Sequence, residues 1–101
     1  MAGYVLSRAA LRDLVDLEDF LTNREGRGRA LTILARLHRA MTSLADYPGM
    51  GRRRADLRGS PLCFPMQSWL IFYRPTPERT GIGIVRVIGA RRDIETLLTK
   101  K

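Results

Sequence analysis

The chain predicts an α+β fold: an N-terminal strand, an antiparallel helical hairpin packed on a mostly antiparallel twisted sheet of about four strands, and a short C-terminal helical turn. Three observations carry this. Apolar residues recur at helical spacing as far as about Tyr47. Beyond that point the chain changes to β-branched and aromatic runs cut by Pro and Gly. The two patterns are segregated along the chain, which sets the helices on one side of a largely antiparallel sheet. With 101 residues, 45% of them hydrophobic, residues 1–101 suit one domain with a small core.

Gly3 to Leu6 is a short apolar strand ending at Ser7, a good helix N-cap. In "RAALRDLVDLEDFLTNR", Ala10, Leu14, Leu17 and Leu21 fall on one helix face, with Asp13, Asp16 and Asp19 mainly on the other side. After the break "EGRGR", a second helix carries the stripe Ala30, Ile33, Leu34, Leu37, Met41 and Leu44. Pro48 stops it, because proline has no N–H to donate and disfavours helical geometry at Tyr47. "LCFPM", "SWLIFYR" and "GIGIVRVIG" read as strands, "PTPERTG" as a hairpin loop and "DIETLL" as the closing turn. In the last strand, strict alternation sends Gly83, Val85, Val87 and Gly89 towards the helices. Ile82, Ile84, Arg86 and Ile88 then face the open side, where a charge is costly unless solvated or paired.

The charge is uneven. The chain holds 18 Lys+Arg against 10 Asp+Glu, a formal net of +8. Residues 1–50 carry seven arginines against six acids, whereas residues 51–101 carry nine arginines and two lysines against four acids. A field of one sign in the strand half suits a nucleic acid, an anionic surface or an acidic partner, or is simply a solvated face. Two clusters stand out. "VIGARRD" sets Arg91 and Arg92 on the rim beside Arg86, and "GRRR" sets Arg52, Arg53 and Arg54 near Arg58. A plain ion pair of Arg91 or Arg92 with Asp93 or Glu95 is the alternative to a binding edge.

Cys63, between Leu62 and Phe64, reads as a small buried apolar residue, and a lone cysteine admits no internal disulfide. One Cys and one His do not make a metal site without suitably spaced carboxylates, so no metal or other cofactor is expected. No phosphate-cradling glycine loop or Ser-His-Asp set is present, and a helix-turn-helix does not fit a basic excess lodged in the strands. No apolar run approaches the roughly 18 residues of a spanning helix. "MAGYVLSRAAL" lacks the pattern of a secretory leader, so a cytoplasmic protein is expected.

Proton-transfer groups are few. His38 lies at the edge of the second helix's stripe, Tyr4 and Tyr73 sit in strands, Tyr47 closes the second helix, and Lys100 and Lys101 end the chain. Asp56 and Glu95 act as bases only with strongly raised pKa values, and arginine above about 12 stays protonated. Phosphate can be bound but acid–base chemistry is poorly equipped, so the residues point to a binder rather than an enzyme.

In order, "LSRAALRDLVDLEDFL", "LADYPGMGRRRADLRG", "FP…WLIFYRP" and "IVRVIGARRD" resemble the ParE branch of the RelE/ParE toxins over nearly the whole chain. The resemblance implies a type II toxin, neutralised in a hetero-oligomeric complex by a ParD-like antitoxin of ribbon-helix-helix type. It also implies DNA gyrase as the target, with replication blocked. RelE-type relatives instead cut mRNA on the ribosome, using mid-chain lysines and a C-terminal tyrosine, or a glutamate–histidine pair. After Arg92 this chain reads "DIETLLTKK", with no tyrosine or histidine, and its only lysines are Lys100 and Lys101. Similar toxins often carry a basic residue just before the "FP" strand, where Leu62 and Cys63 stand here. A ribosome-dependent nuclease and a non-toxic antitoxin-binding member therefore remain as alternatives.

On this resemblance the target-contact residues are Arg86, Arg91, Arg92, Arg52, Arg53, Arg54 and Arg58, with direct nucleic-acid binding left open. An antitoxin segment that orders on the toxin needs apolar anchors. Leu11, Val15 and Phe20, off the main stripe of the first helix, are candidates together with Trp69 and Tyr73. Ordinary core packing is the competing reading for Phe20 and Trp69.

Overall fold

The computed structural model describes residues 3–76 and 81–91. Strand β1 (Gly3–Leu6) leads into helix α1 (Arg8–Glu25), and α2 (Arg27–Asp46) returns antiparallel to it. A short 3-10 turn (Pro48–Met50) precedes β2 (Arg52–Arg53), β3 (Leu62–Met66), β4 (Trp69–Pro75) and β5 (Gly81–Gly89). The sheet order is β1-β5-β4-β3-β2, with β1 parallel to β5 and the other pairs antiparallel. The expected helical turn at "DIETLL" and most of the "PTPERTG" loop lie outside the described residues.

Ser7 does three jobs at the corner between β1 and α1. Its Oγ accepts from Ala10 N at 2.9 Å, as an N-cap should. The same hydroxyl donates to Val85 O at 2.8 Å, and Ser7 N donates to Ile84 O at 3.0 Å. The start of α1 is thereby pinned to β5. The break between the helices is one residue, not the five of "EGRGR". Gly26 has φ 90°, which a side chain rarely tolerates, and its N–H closes α1 on Thr22 O at 3.0 Å. Once that residue has turned the chain, nothing prevents Arg27 and Gly28 from entering α2 directly.

The sheet has five strands where about four were expected. The extra one, β2, is only Arg52 and Arg53 paired with Cys63 and Leu62. Two arginines carry no apolar signal by which a strand is read.

A β-bulge corrects the expected facing of β5. Phe72 pairs with Arg86 and Tyr73 with Ile84, so Val85 has no partner across the ladder. The extra residue resets the alternation. Ile82, Ile84 and Val87 pack on the helices, while Val85 and Ile88 face the other way. Burying Ile82 and Ile84 where Gly83 and Val85 were expected removes more apolar area from water, contributing about 2–3 kcal/mol at the glycine position and less at the valine.

The main core joins Leu17 and Leu21 of α1 and Ile33, Leu37, Met41 and Leu44 of α2 to Ile71, Tyr73, Ile82 and Ile84 of the sheet. The opposite face is not open, as the sequence suggested. Leu57, from the loop after β2, is 2% exposed and covers Cys63, Phe72 and Ile88. Each sheet face thus has its own apolar cover, the second supplied by a loop.

Candidate functional site

At 100° per residue, Asp13, Asp16, Phe20 and Arg24 share one flank of α1. That flank faces the Gln67–Ser68 turn between β3 and β4 and the end of β5. Together they enclose an open groove of about 870 Å³. Leu17, Leu21 and Val87 supply its apolar lining, Phe20 and Trp69 its aromatics, and Arg24, Glu25 and Arg91 its charges. Phe20 is 53% exposed, which overturns core packing for that ring. Its face carries the Arg24 guanidinium at 5.3 Å, a cation–π arrangement. Trp69 is half-buried and packs against the main core, so core packing accounts for part of its surface. The groove's lip is held by a tight turn in which Gln67 has φ 56°, and Ala90 N donates to Ser68 O at 2.8 Å. A non-glycine residue in that region costs on the order of 1–2 kcal/mol.

Arg86 is not on an open face among isoleucines. At the bulge it turns back to α1, where Nε donates to Asp13 Oδ2 at 2.7 Å and Nη2 to Oδ1 at 2.9 Å. Oδ2 also accepts Val87 N at 2.9 Å. The two side chains are only 22% and 14% exposed. The hydrogen bonds it donates to Asp13, opposed by burial and aided by the carboxylate's charge, push the Arg86 guanidinium above its ordinary pKa. Asp13, expected on the far side of its helix, is therefore part of the helix–sheet joint at one wall of the groove.

The remaining expected residues divide. Arg91 is exposed on the groove rim, and Arg92 lies outside the described residues. Arg52, Arg53, Arg54 and Arg58 gather at the β2 edge of the sheet, away from the groove. Leu11 and Val15 are exposed at 53% and 49%, but lie roughly half a turn round α1 from Phe20, so the three form no common patch. Tyr73, offered as an anchor, is fully buried. Its hydroxyl donates to Pro48 O at 2.6 Å and accepts Gly51 N at 2.8 Å. A Cβ at Gly51 would collide with that hydroxyl, so glycine is required there. The Gln67–Ser68 lip and the Asp13 clamp were missed. A single polar dipeptide between strands was the available signal for the lip, and none existed for the clamp, which depends on the bulge.

Among the described residues, several groups able to move protons lie in contacts away from the groove, while Tyr47 is exposed. His38 Nδ1 and the Tyr4 hydroxyl share a hydrogen bond of 2.7 Å, and burial pushes the Tyr4 phenol up. Burial likewise raises the Cys63 thiol, with nearby Arg54 pulling the other way. Arg54 holds Asp56 through both carboxylate oxygens, at 2.9 and 2.7 Å. Among the described residues no three His, Cys, Asp or Glu side chains converge as metal ligands, and no helix is long and apolar enough to cross a membrane.

Residues 4–94 match the family model described as the ParE toxin of the type II toxin-antitoxin system, parDE. The chain belongs to the ParE toxin family. It is 34% identical over 92 residues to Toxin ParE1 of Mycobacterium tuberculosis, covering 91% of this chain and 93% of that one. To Toxin ParE1 of Caulobacter vibrioides it is 31% identical over 88 residues, covering 87% and 88%. Two solved structures share the fold. A chain of the chromosomal ParDE TA system from P. aeruginosa aligns at TM-score 0.74 with 17% identity, over 90% of this chain and 98% of that one. A chain of the toxin-antitoxin complex RelBE2 from Mycobacterium tuberculosis aligns at 0.61 with 20% identity, over 87% and 96%. In this ParE-family toxin, then, an aromatic groove beside α1 and an arginine cluster at the β2 edge are two separate surfaces.

Proposed function

We propose that this toxin acts by binding rather than by catalysis, that DNA gyrase is its target, and that a ParD-like antitoxin silences it by occupying the groove beside α1. The observation that carries the antitoxin assignment is the exposed Phe20, which lines a groove together with Trp69 and the apolar Leu17, Leu21 and Val87. A folded chain leaves a large ring half in water at a cost, and a partner helix or extended segment recovers that area. The groove rim mixes Arg24 and Arg91 with Asp16 and Glu25, so an amphipathic segment with both charge signs fits it.

The non-enzymatic reading is supported by where the proton-transfer groups sit. Cleavage through a 2′-hydroxyl needs a base and an acid at the phosphate. His38 is tied to Tyr4, Tyr73 to Pro48 and Gly51, Asp13 to Arg86 and Asp56 to Arg54. The gyrase assignment rests on family membership, which also supports a cytoplasmic location.

The test is expression without antitoxin, following growth, DNA content and total mRNA together. Arrest with damaged DNA and intact transcripts is the expected result. Arrest with cleaved transcripts would establish the nuclease instead, and undisturbed growth from a folded, soluble chain would establish a member without toxicity.

A further inference from the structure

Residues 52–74 carry five arginines and one acid, Asp56, which Arg54 already holds. The fold concentrates the rest. Arg52 pairs with Cys63, whose side chain belongs to the small cluster under Leu57, so Arg52 projects on that same face. Arg74 follows Tyr73, which points to the helices, and so projects on the small-cluster face as well. Its guanidinium lies against Gly59, where an added Cβ would come within 2.9 Å of Nη2. That contact brings the end of β4 beside exposed Arg58. Gly59, at φ 78°, is favoured by its backbone conformation. Arg53 pairs with Leu62, which packs on the main core, and so starts from the other face, its Nη1 donating to Ser60 O at 2.7 Å. The loop that roofs the second core is thus bordered by arginines from β2, β4 and itself.

We infer that this arginine border, formed by Arg52, Arg58 and Arg74, is a binding surface for the phosphate backbone of duplex DNA. The choice of partner follows from what accompanies the charge. A protein interface needs apolar or aromatic anchors, and none of the large exposed hydrophobics lies within residues 52–74. A single-stranded nucleic acid needs aromatic platforms for its bases, whereas Phe72 and Tyr73 of this stretch are buried and Phe64 and Trp69 pack against the main core on the other face. Guanidinium groups without stacking partners suit backbone phosphates, which position a protein on a duplex without reading sequence. The surface is distinct from the Phe20–Trp69 groove, so DNA and an antitoxin segment can be held at once. The contact is read without gyrase, and its failure leaves the gyrase and antitoxin readings standing.

The experiment is fluorescence anisotropy of a labelled 20-base-pair duplex titrated with the full chain across a range of salt, with a single strand of equal length as comparison. Two triple variants are compared, Arg52→Gln/Arg58→Gln/Arg74→Gln at the border and Arg8→Gln/Arg12→Gln/Arg39→Gln on the helices, each checked by thermal melting. Both remove three charges, so net charge is matched. The inference expects the border variant to weaken duplex binding at least about tenfold at low salt and to flatten the log–log salt slope by about 2 to 3. The helix variant should stay within about threefold of the parent. Equal losses from both triples, tighter binding of the single strand, or no duplex binding by the parent would each overturn it. If the border triple fails to fold, Arg74→Gln alone, with an expected loss of about one slope unit, decides.

Discussion

Asp13 Oδ2 receives donors from two consecutive residues of β5, Arg86 Nε at 2.7 Å and Val87 N at 2.9 Å. One carboxylate from α1 thereby holds both the cation and the backbone at the bulge. The bulge explains why the amide is available, since a β5 in unbroken register would turn it elsewhere. The helix that carries Phe20 is bolted to the strand that carries the opposite wall of the groove.

Removing one member of that pair leaves the other unpaired in a partly buried place. Arg86→Ala and Asp13→Ala should each destabilise the chain by about 2–4 kcal/mol. The double variant should cost less than the sum, because the two act through one contact. Chemical denaturation of the three variants measures this, and additive losses would count against the clamp.

Tyr73→Phe keeps the ring in the core but strands Pro48 O and Gly51 N. A loss of about 1–3 kcal/mol is expected, with faster amide exchange at Gly51 than in α2. Uniform exchange changes throughout the chain would argue that the phenol does not act on that turn.

Phe20→Ala should change stability by less than about 1 kcal/mol, since half the ring is already in water. It should nevertheless weaken antitoxin binding by about 2 kcal/mol or more, as expected of a central aromatic anchor. Val15→Ala, on the other flank of α1, is expected to be near neutral for binding. Calorimetric titration with the antitoxin compares the two, and the reverse order would move the interface.

Burial raises the Cys63 thiol and the Tyr4 and Tyr73 phenols together. The folded chain then holds protons that the unfolded chain releases, so stability is complete below the ordinary thiol range of about 8.5 and falls as pH climbs past it. Melting temperature should therefore decline between about pH 8.5 and 11. Cys63→Ala should delay the onset of that decline, and an unchanged onset would remove the thiol from the account.

The helices and three longer strands were legible because their apolar stripes are long and regular, and Ser7 and Pro48 mark ends with unambiguous chemistry. The facing of β5 was not. A bulge has no composition signal, and displacement by one residue exchanged Ile82 and Ile84 with Gly83 and Val85. The same displacement hid Arg86, whose partner Asp13 looked like one more solvated acid. Phe20 and Trp69 could be named as anchors from sequence, but only the packing of α1 across β5 shows that they share a groove while Leu11 and Val15 lie elsewhere. Arg74 escaped notice because a strand arginine before a proline has no motif. Its importance comes from Gly59, fifteen residues earlier in the chain.

The most direct measurement is DNA supercoiling by purified gyrase with the full-length toxin added, alone and after mixing with its antitoxin. Inhibited supercoiling with accumulated cleaved DNA, reversed by the antitoxin and no longer reversed efficiently for Phe20→Ala, is the predicted result. Undisturbed supercoiling by a folded toxin that instead cleaves mRNA on ribosomes would contradict both the target and the binding mechanism.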